Sequence, residues 1–144
     1  MKRAVIGVGS PFGADRLGWQ VVEQLQKEYG ESAIDFLTLD RPGVALLEWM
    51  RGYGQVVLID AVLVDEIGER PHRHLDREAL IAHSTEKLSS HGSGIAEAVA
   101  LGEVLGELPA EIELIGVAVT AQQSAVSPVL IQQSVERVVA LLDE

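Results

Sequence analysis

Three side chains in this sequence are of types that together perform metal or acid–base chemistry: Asp15, Asp60 and His91. Asp15 stands in a glycine-punctuated turn, Gly7-Val8-Gly9-Ser10-Pro11-Phe12-Gly13-Ala14-Asp15, between an apolar run and a helical pattern. Asp60 ends a second apolar run, Gln55-Val56-Val57-Leu58-Ile59, and His91 opens a later helix. Two carboxylates brought close together repel unless one is protonated or a cation lies between them. A divalent metal uses both charges, and an imidazole adds a nitrogen. Such a set keeps positions open for hydrolysis or for docking a metal. Each residue also has a plainer use: Asp15 as a helix N-cap, Asp60 as a strand-end acid bonded to loop amides, His91 as a solvated loop histidine.

The elements that must position them follow from hydrophobic periodicity. Ala4 to Val8 is a continuous, β-branched apolar run, the mark of a strand buried on both faces. Leu17, Val21 and Leu25 share one helical face, and the helix is expected to stop near Tyr29-Gly30 with the glycine as a left-handed cap. Ile34 to Leu39 and Gln55 to Ile59 read as further strands, with a short helix from Val44 to Met50 between them. Residues 64–90 are irregular: a short edge strand at His72–Leu75, a weak helix over Asp76–Ala82, and an exposed loop from Ser84 to Ser90. A helix beginning near Gly92 should bury Ile95, Ala98, Leu101 and Leu105. Glu111 to Val119 is another buried strand, and a last helix runs from Pro128 to about Leu142. Alternating strands and helices with short connections predict an α/β fold: a three-layer α/β/α sandwich around a mostly parallel, twisted sheet of about five strands. Without a linker or repeat, residues 1–144 read as one domain.

In such a sheet, ligands bind beyond the carboxyl ends of the strands, where the strand order switches. Asp15 follows strand one and Asp60 ends strand three, so the two acids are expected to converge there. The glycine turn is not a dinucleotide loop. In Gly7-x-Gly9-x-x-x-Gly13 the third glycine comes one position late. Pro11 removes an amide donor, and Asp15 puts negative charge where a pyrophosphate would sit.

Other residues have weaker claims. His72 and His74 share a face of the edge strand, a pairing open to metal but better explained by an exposed edge. His83 is a rival to His91. Ser10, Ser124 and Ser127 lack the Gly-x-Ser-x-Gly context of a nucleophile elbow, and Ser127-Pro128 suits a helix cap. Asp40-Arg41-Pro42-Gly43 lies at a strand end and either lines the crevice or is a simple turn. Trp19 and Trp49 read as partly buried helix anchors or as a contact patch.

Composition narrows the partners. Eleven basic and 22 acidic side chains give a net charge of −11, which disfavours nucleic acid and anionic membranes. There is no cysteine, so disulfides, a cysteine nucleophile and thiolate metal sites are excluded. The N-terminal apolar run is too short for a signal peptide, and no stretch approaches a spanning helix, so a cytoplasmic protein is expected.

These motifs together resemble the hydrogenase maturation endopeptidase family. The family's opening strand and Gly-x-Gly-Asn-Pro-like turn are matched by Gly7-Val8-Gly9-Ser10-Pro11, and its acid before the helix by Ala14-Asp15. Its strand-ending Asp-Ala pair is matched by Asp60-Ala61, and its Ser/Thr-x-His stretch by Ser89-Ser90-His91. Leu114-Ile115-Gly116-Val117 and Val126-Ser127-Pro128 also fit. The turn is one residue shorter than the family's, and Ala14 replaces the first acid of its pair. A gap between Phe12 and Gly13 puts Asp15 in the ligand position. A gap after Asp15 would put Arg16 there. Arg41-Pro42-Gly43 replaces the family's Gly-Thr-x-Gly, the loop that contacts substrate.

The resemblance implies an endopeptidase that removes the C-terminal tail from the nickel-loaded precursor of a nickel–iron hydrogenase large subunit. The nickel is carried by the substrate and met by Asp15, Asp60 and His91. Asp15 and Asp60 would also be the catalytic carboxylates, and the isolated protein could take up another divalent metal. The alternatives are a non-catalytic nickel-checking or assembly module and a related metallopeptidase with another protein substrate.

Overall fold

The structure is a computed structural model that describes residues 1–86 and 94–143. Five strands form one sheet in the order β2-β1-β3-β5-β4, built from β1 (Arg3–Gly9), β2 (Ile34–Asp40), β3 (Gln55–Leu63), β4 (His72–Leu75) and β5 (Glu111–Val119). All neighbours are parallel except β4, which runs antiparallel to β5 at one edge. Among the described residues five α-helices complete it: α1 (Leu17–Tyr29), α2 (Leu46–Met50), α3 (Arg77–Glu86), α4 (Ile95–Leu105) and α5 (Pro128–Leu142). The sheet separates two cores. Odd-numbered side chains of β1 and β3, such as Val5, Val57 and Ile59, pack with Leu17, Leu25 and Val138 of α1 and α5. Even-numbered ones, such as Ile6 and Leu58, pack with Met50, Leu80 and Val99 of α2, α3 and α4. This is the expected three-layer α/β/α sandwich. Each of these side chains is essentially sealed from water and contributes about 1.5–3 kcal/mol of burial.

Helix α1 sits unusually close to the sheet because glycine meets backbone. A Cβ on Gly7 would lie 2.3 Å from the Gly18 carbonyl oxygen, and one on Gly18 would lie 2.6 Å from Val8 O and 2.7 Å from Ile59 O. The indole of Trp19 then donates from Nε1 to Leu39 O at 2.9 Å, tying α1 to the end of β2. Trp19 is thus an anchor, whereas Trp49 on α2 is half exposed.

Several local expectations are corrected. Strand β3 does not end at Asp60. It continues through Leu63 because Ala61, Val62 and Leu63 keep pairing with Val117, Ala118 and Val119 of β5. Helix α3 extends past Ala82, taking in Ser84 and Thr85. Asp76 caps it by accepting from Ala79 N, and Ser84 and Thr85 turn their hydroxyls back to Ile81 O and Ala82 O. Helix α4 starts at Ile95, after Gly94 at φ 79°, and the expected opening at His91 lies outside the described residues. Its inward stripe is Ile95, Ala98, Val99 and Gly102, with Leu101 and Leu105 facing water. Gly102 sets that phase: a Cβ there would meet Leu108 at 2.7 Å and Leu47 at 2.9 Å, so the glycine edge of the helix must face the core. Gly30 closes α1 in right-handed, not left-handed, geometry.

The edge-strand histidines have structural partners. His72 Nε2 lies 2.8 Å from Ser134 Oγ, whose own hydroxyl donates to Leu130 O. His74 pairs with Glu113. Burial, helped by Arg137, holds the His72 imidazole below its ordinary pKa of 6.5. The folded state therefore binds this proton less readily than the unfolded chain. The neutral form's advantage is complete above about pH 6.5 and is lost as pH falls from there through the depressed folded value. His72→Gln should accordingly lose less stability than the parent between pH 7.5 and pH 5.5, as read from urea midpoints. Equal losses would contradict it.

Candidate functional site

The switch in strand order falls between β1 and β3. From β1 the chain turns into α1 on one face and returns as β2, while from β3 it goes the other way across the sheet. Val8 of β1, Asp60 of β3 and Gly116 of β5 lie in one register row. Strand β1 ends one residue later at Gly9, whereas β3 runs on to Leu63. Beyond Asp60 the β1 side of β3 is therefore unpaired, and a crevice opens there.

The glycine turn fills one side of that crevice. Ser10 N donates to Asp15 O at 3.2 Å and Asp15 N donates to Phe12 O at 3.1 Å, which folds residues 10–15 into a tight loop. A Cβ on Gly9 would come 2.3 Å from Asp15 O, so only glycine lets the loop lie back on the strand end. Gly13 takes φ 56° to start a single 3-10 turn, Gly13–Arg16, which runs directly into α1. Asp15 sits within this turn and is not the N-cap; that position is Arg16, and its side chain makes no capping bond. The Arg16 guanidinium instead donates from Nε to Gly13 O at 3.1 Å and from Nη2 to Ser124 O at 3.4 Å.

Asp15 and Asp60 line the same cavity, of about 570 Å³, and Arg16 does not. Phe12, Arg41, Thr120 and Gln123 are among its other walls. Asp60 is nearly buried, at 9% exposure. Strand alternation places it on the α2–α4 side of the sheet, and it also borders a second cleft of about 530 Å³, with Ala61 common to both. His83, Arg70, Arg73 and Glu97 belong to this second cleft, so His83 shares a wall with Asp60 but not with Asp15. His91 lies outside the described residues. Among the described residues no three His, Asp or Glu side chains come close enough to hold one metal ion. The two carboxylates are hard oxygen donors suited to a divalent ion.

The turn after β2 does line the crevice. Arg41 N donates to Gly9 O at 3.0 Å, and Arg41 itself takes φ 42°, left-handed geometry that ordinarily selects glycine. Its guanidinium stands 5.5 Å from the centre of the Phe12 ring and bonds Asp40 through Nε at 2.7 Å. The bond to Asp40, then the charges of Asp40 and Asp15, raise its pKa further above the usual arginine value. Thr120 and Gln123 escaped the sequence reading as site residues. Gln123 Oε1 accepts from Thr120 N at 2.8 Å and shapes the loop beyond β5. The signal for them was position alone, immediately after a parallel strand. Ser127 caps α5, accepting from Leu130 N at 3.1 Å, and Ser10 accepts from Phe12 N, so both hydroxyls serve local turns.

A cleft with two acids, beyond the carboxyl ends of parallel strands, is the ligand cleft of a doubly wound α/β protein. Residues 19–143 match the family model HycI, described as hydrogenase maturation protease. The whole chain is 26% identical over 151 residues to hydrogenase 2 maturation protease of Escherichia coli (strain K12), covering 92% of that relative. It is 32% identical over 118 residues to hydrogenase expression/formation protein HupD of Thiocapsa roseopersicina, an overlap of 78% of this chain and 52% of that one. Among solved structures, the fold resembles hydrogenase maturating endopeptidase HybD from E. coli, with TM-score 0.79 and 24% identity over 99% of this chain and 93% of that one. It also resembles the [NiFe] hydrogenase maturation protease HybD from Thermococcus kodakarensis, with TM-score 0.69 and 22% identity over 98% and 99%. The chain belongs to the hydrogenase maturation protease family and is an endopeptidase, a hydrolase. The matched span includes Asp60 and His91 and begins four residues after Asp15.

Proposed function

We propose that this protein removes the C-terminal extension from the nickel-loaded precursor of a nickel–iron hydrogenase large subunit. The observation that carries the reading is the convergence of Asp15 and Asp60, from separate elements, on one cleft at the β1–β3 switch. In this account nickel belongs to the substrate. The precursor presents it near the scissile bond, and Asp15, Asp60 and His91 receive it. A metal so held supplies orientation and can polarise the scissile carbonyl. The protein's own share is to hold the chain in the crevice and to take a proton from the attacking water at a carboxylate oxygen. Asp60, at 9% exposure, is well shielded from bulk water, which strengthens its interaction with a cation. The isolated protein is expected to accept other divalent ions weakly at the same carboxylates.

The test is cleavage of nickel-loaded and nickel-free precursor, followed by intact mass. Cutting of the loaded form alone is the expected result. Equal cutting of both removes nickel from the account. Cutting of neither, with binding retained, would make the chain an assembly module. Histidine variants assign the third ligand. His91→Ala should slow processing of the loaded precursor at least tenfold, while His83→Ala, in the neighbouring cleft, should leave it near the parental rate. The reverse pattern would transfer the role to His83.

A further inference from the structure

We infer that Arg41 is a specificity-determining residue that binds a carboxylate of the substrate's C-terminal extension, either an acidic side chain or the terminal carboxylate. This rests on the endopeptidase reading of the cleft. Three features of Arg41 support it. It is the one basic side chain among the described residues lining the cavity shared by Asp15 and Asp60. Two contacts orient it: the guanidinium stands against the Phe12 ring and Nε donates to Asp40. That leaves the two terminal nitrogens with no bond to any described group, and they form the planar edge that pairs with a carboxylate through two parallel hydrogen bonds.

The alternative is that Arg41 serves only its neighbours. The bond to Asp40 joins two half-exposed, adjacent residues, and such pairs stabilise little. Phe12 is itself 67% exposed, so the stacked pair seals no core. Meanwhile the backbone at φ 42° is one that glycine would occupy with less strain. The arrangement instead orients a cation toward a cleft that otherwise carries Asp15 and Asp60. With nickel taken up by those two acids, a carboxylate on the extension still meets a chain of net charge −11 and is repelled unless a cation stands beside its path. Arg41 supplies that cation on the wall that β2 contributes.

The experiment uses the full-length protein, its Arg41→Gln and Arg41→Lys variants, and a synthetic peptide of the precursor's extension. Binding is read by fluorescence anisotropy, and cleavage of the loaded precursor is measured in parallel. Arg41→Gln should weaken peptide binding about tenfold and raise KM with kcat little changed, with Arg41→Lys in between. A peptide with an amidated C-terminus and a peptide with its acidic side chains changed to amides separate the two sources. Whichever carries the contact should bind about tenfold more weakly to the parent and show no further loss on Arg41→Gln. Parental binding and cleavage by Arg41→Gln would overturn the inference and leave the endopeptidase reading intact. Arg41-dependent peptide binding by a parent protein that cuts no precursor would support the contact and overturn the endopeptidase reading.

Discussion

Asp60→Asn should lower processing of the nickel-loaded precursor by about 10²-fold or more while leaving the thermal midpoint within a few degrees of the parent. The substitution keeps shape and removes charge. Asp60 lies at the centre of the sheet, between Val8 and Gly116, and is nearly buried, so an isosteric amide disturbs little packing. What it removes is one of the two negative charges facing the cleft, the feature on which the proposed cation recognition and proton transfer both rely. Processing at the parental rate by a well-folded Asp60→Asn protein would take Asp60 out of the chemistry.

Gly18→Ala should act in the opposite way, through the fold. The added methyl would lie 2.6 Å from Val8 O and 2.7 Å from Ile59 O, and neither oxygen can move without breaking sheet pairing. Overpacking against backbone costs about 3 kcal/mol, which for a chain of this size lowers the melting temperature by roughly 10 °C. Because the same residue lies in the first turn of the helix that follows the Asp15 turn, α1 must lift from the strand ends and carry Asp15 with it. Processing should therefore fall together with stability, in contrast to Asp60→Asn. An unchanged melting temperature in calorimetry would show that the helix has slack that its packing does not suggest.

The contrast explains which parts of the molecule are legible in the chain. Runs such as Ala4–Val8 and Gln55–Ile59 are buried on both faces, so composition alone marks them as parallel strands, and two such strands place their following acids at one end of the sheet. The convergence of Asp15 and Asp60 on one cleft was readable for that reason. The placement of Asp15, and not Arg16, on the cleft has a local sign in Gly13 but a distant cause. It depends on Gly13 entering left-handed geometry and on Arg16 reaching Gly13 O and Ser124 O, the latter a partner 108 residues away. The continuation of β3 past Asp60 depends on its register with β5, which no local pattern reports. The phase of α4 was misread because Leu101 and Leu105 looked more apolar than Gly102, yet close approach to Leu47 and Leu108 selects the residue without a side chain. Arg41 was visible only as part of a strand-end turn. Its stacking on Phe12 joins two loops distant in sequence.

The central claim is that this cleft recognises the substrate's nickel through Asp15 and Asp60. Its most direct measurement is a cleavage time course on nickel-loaded and nickel-free precursor, run with the parent, Asp15→Asn and Arg16→Gln. The account predicts that the parent and Arg16→Gln cut only the loaded precursor, and that Asp15→Asn cuts neither form at a comparable rate. Cutting of both forms by the parent, or parental cutting of the loaded form by Asp15→Asn, would contradict it.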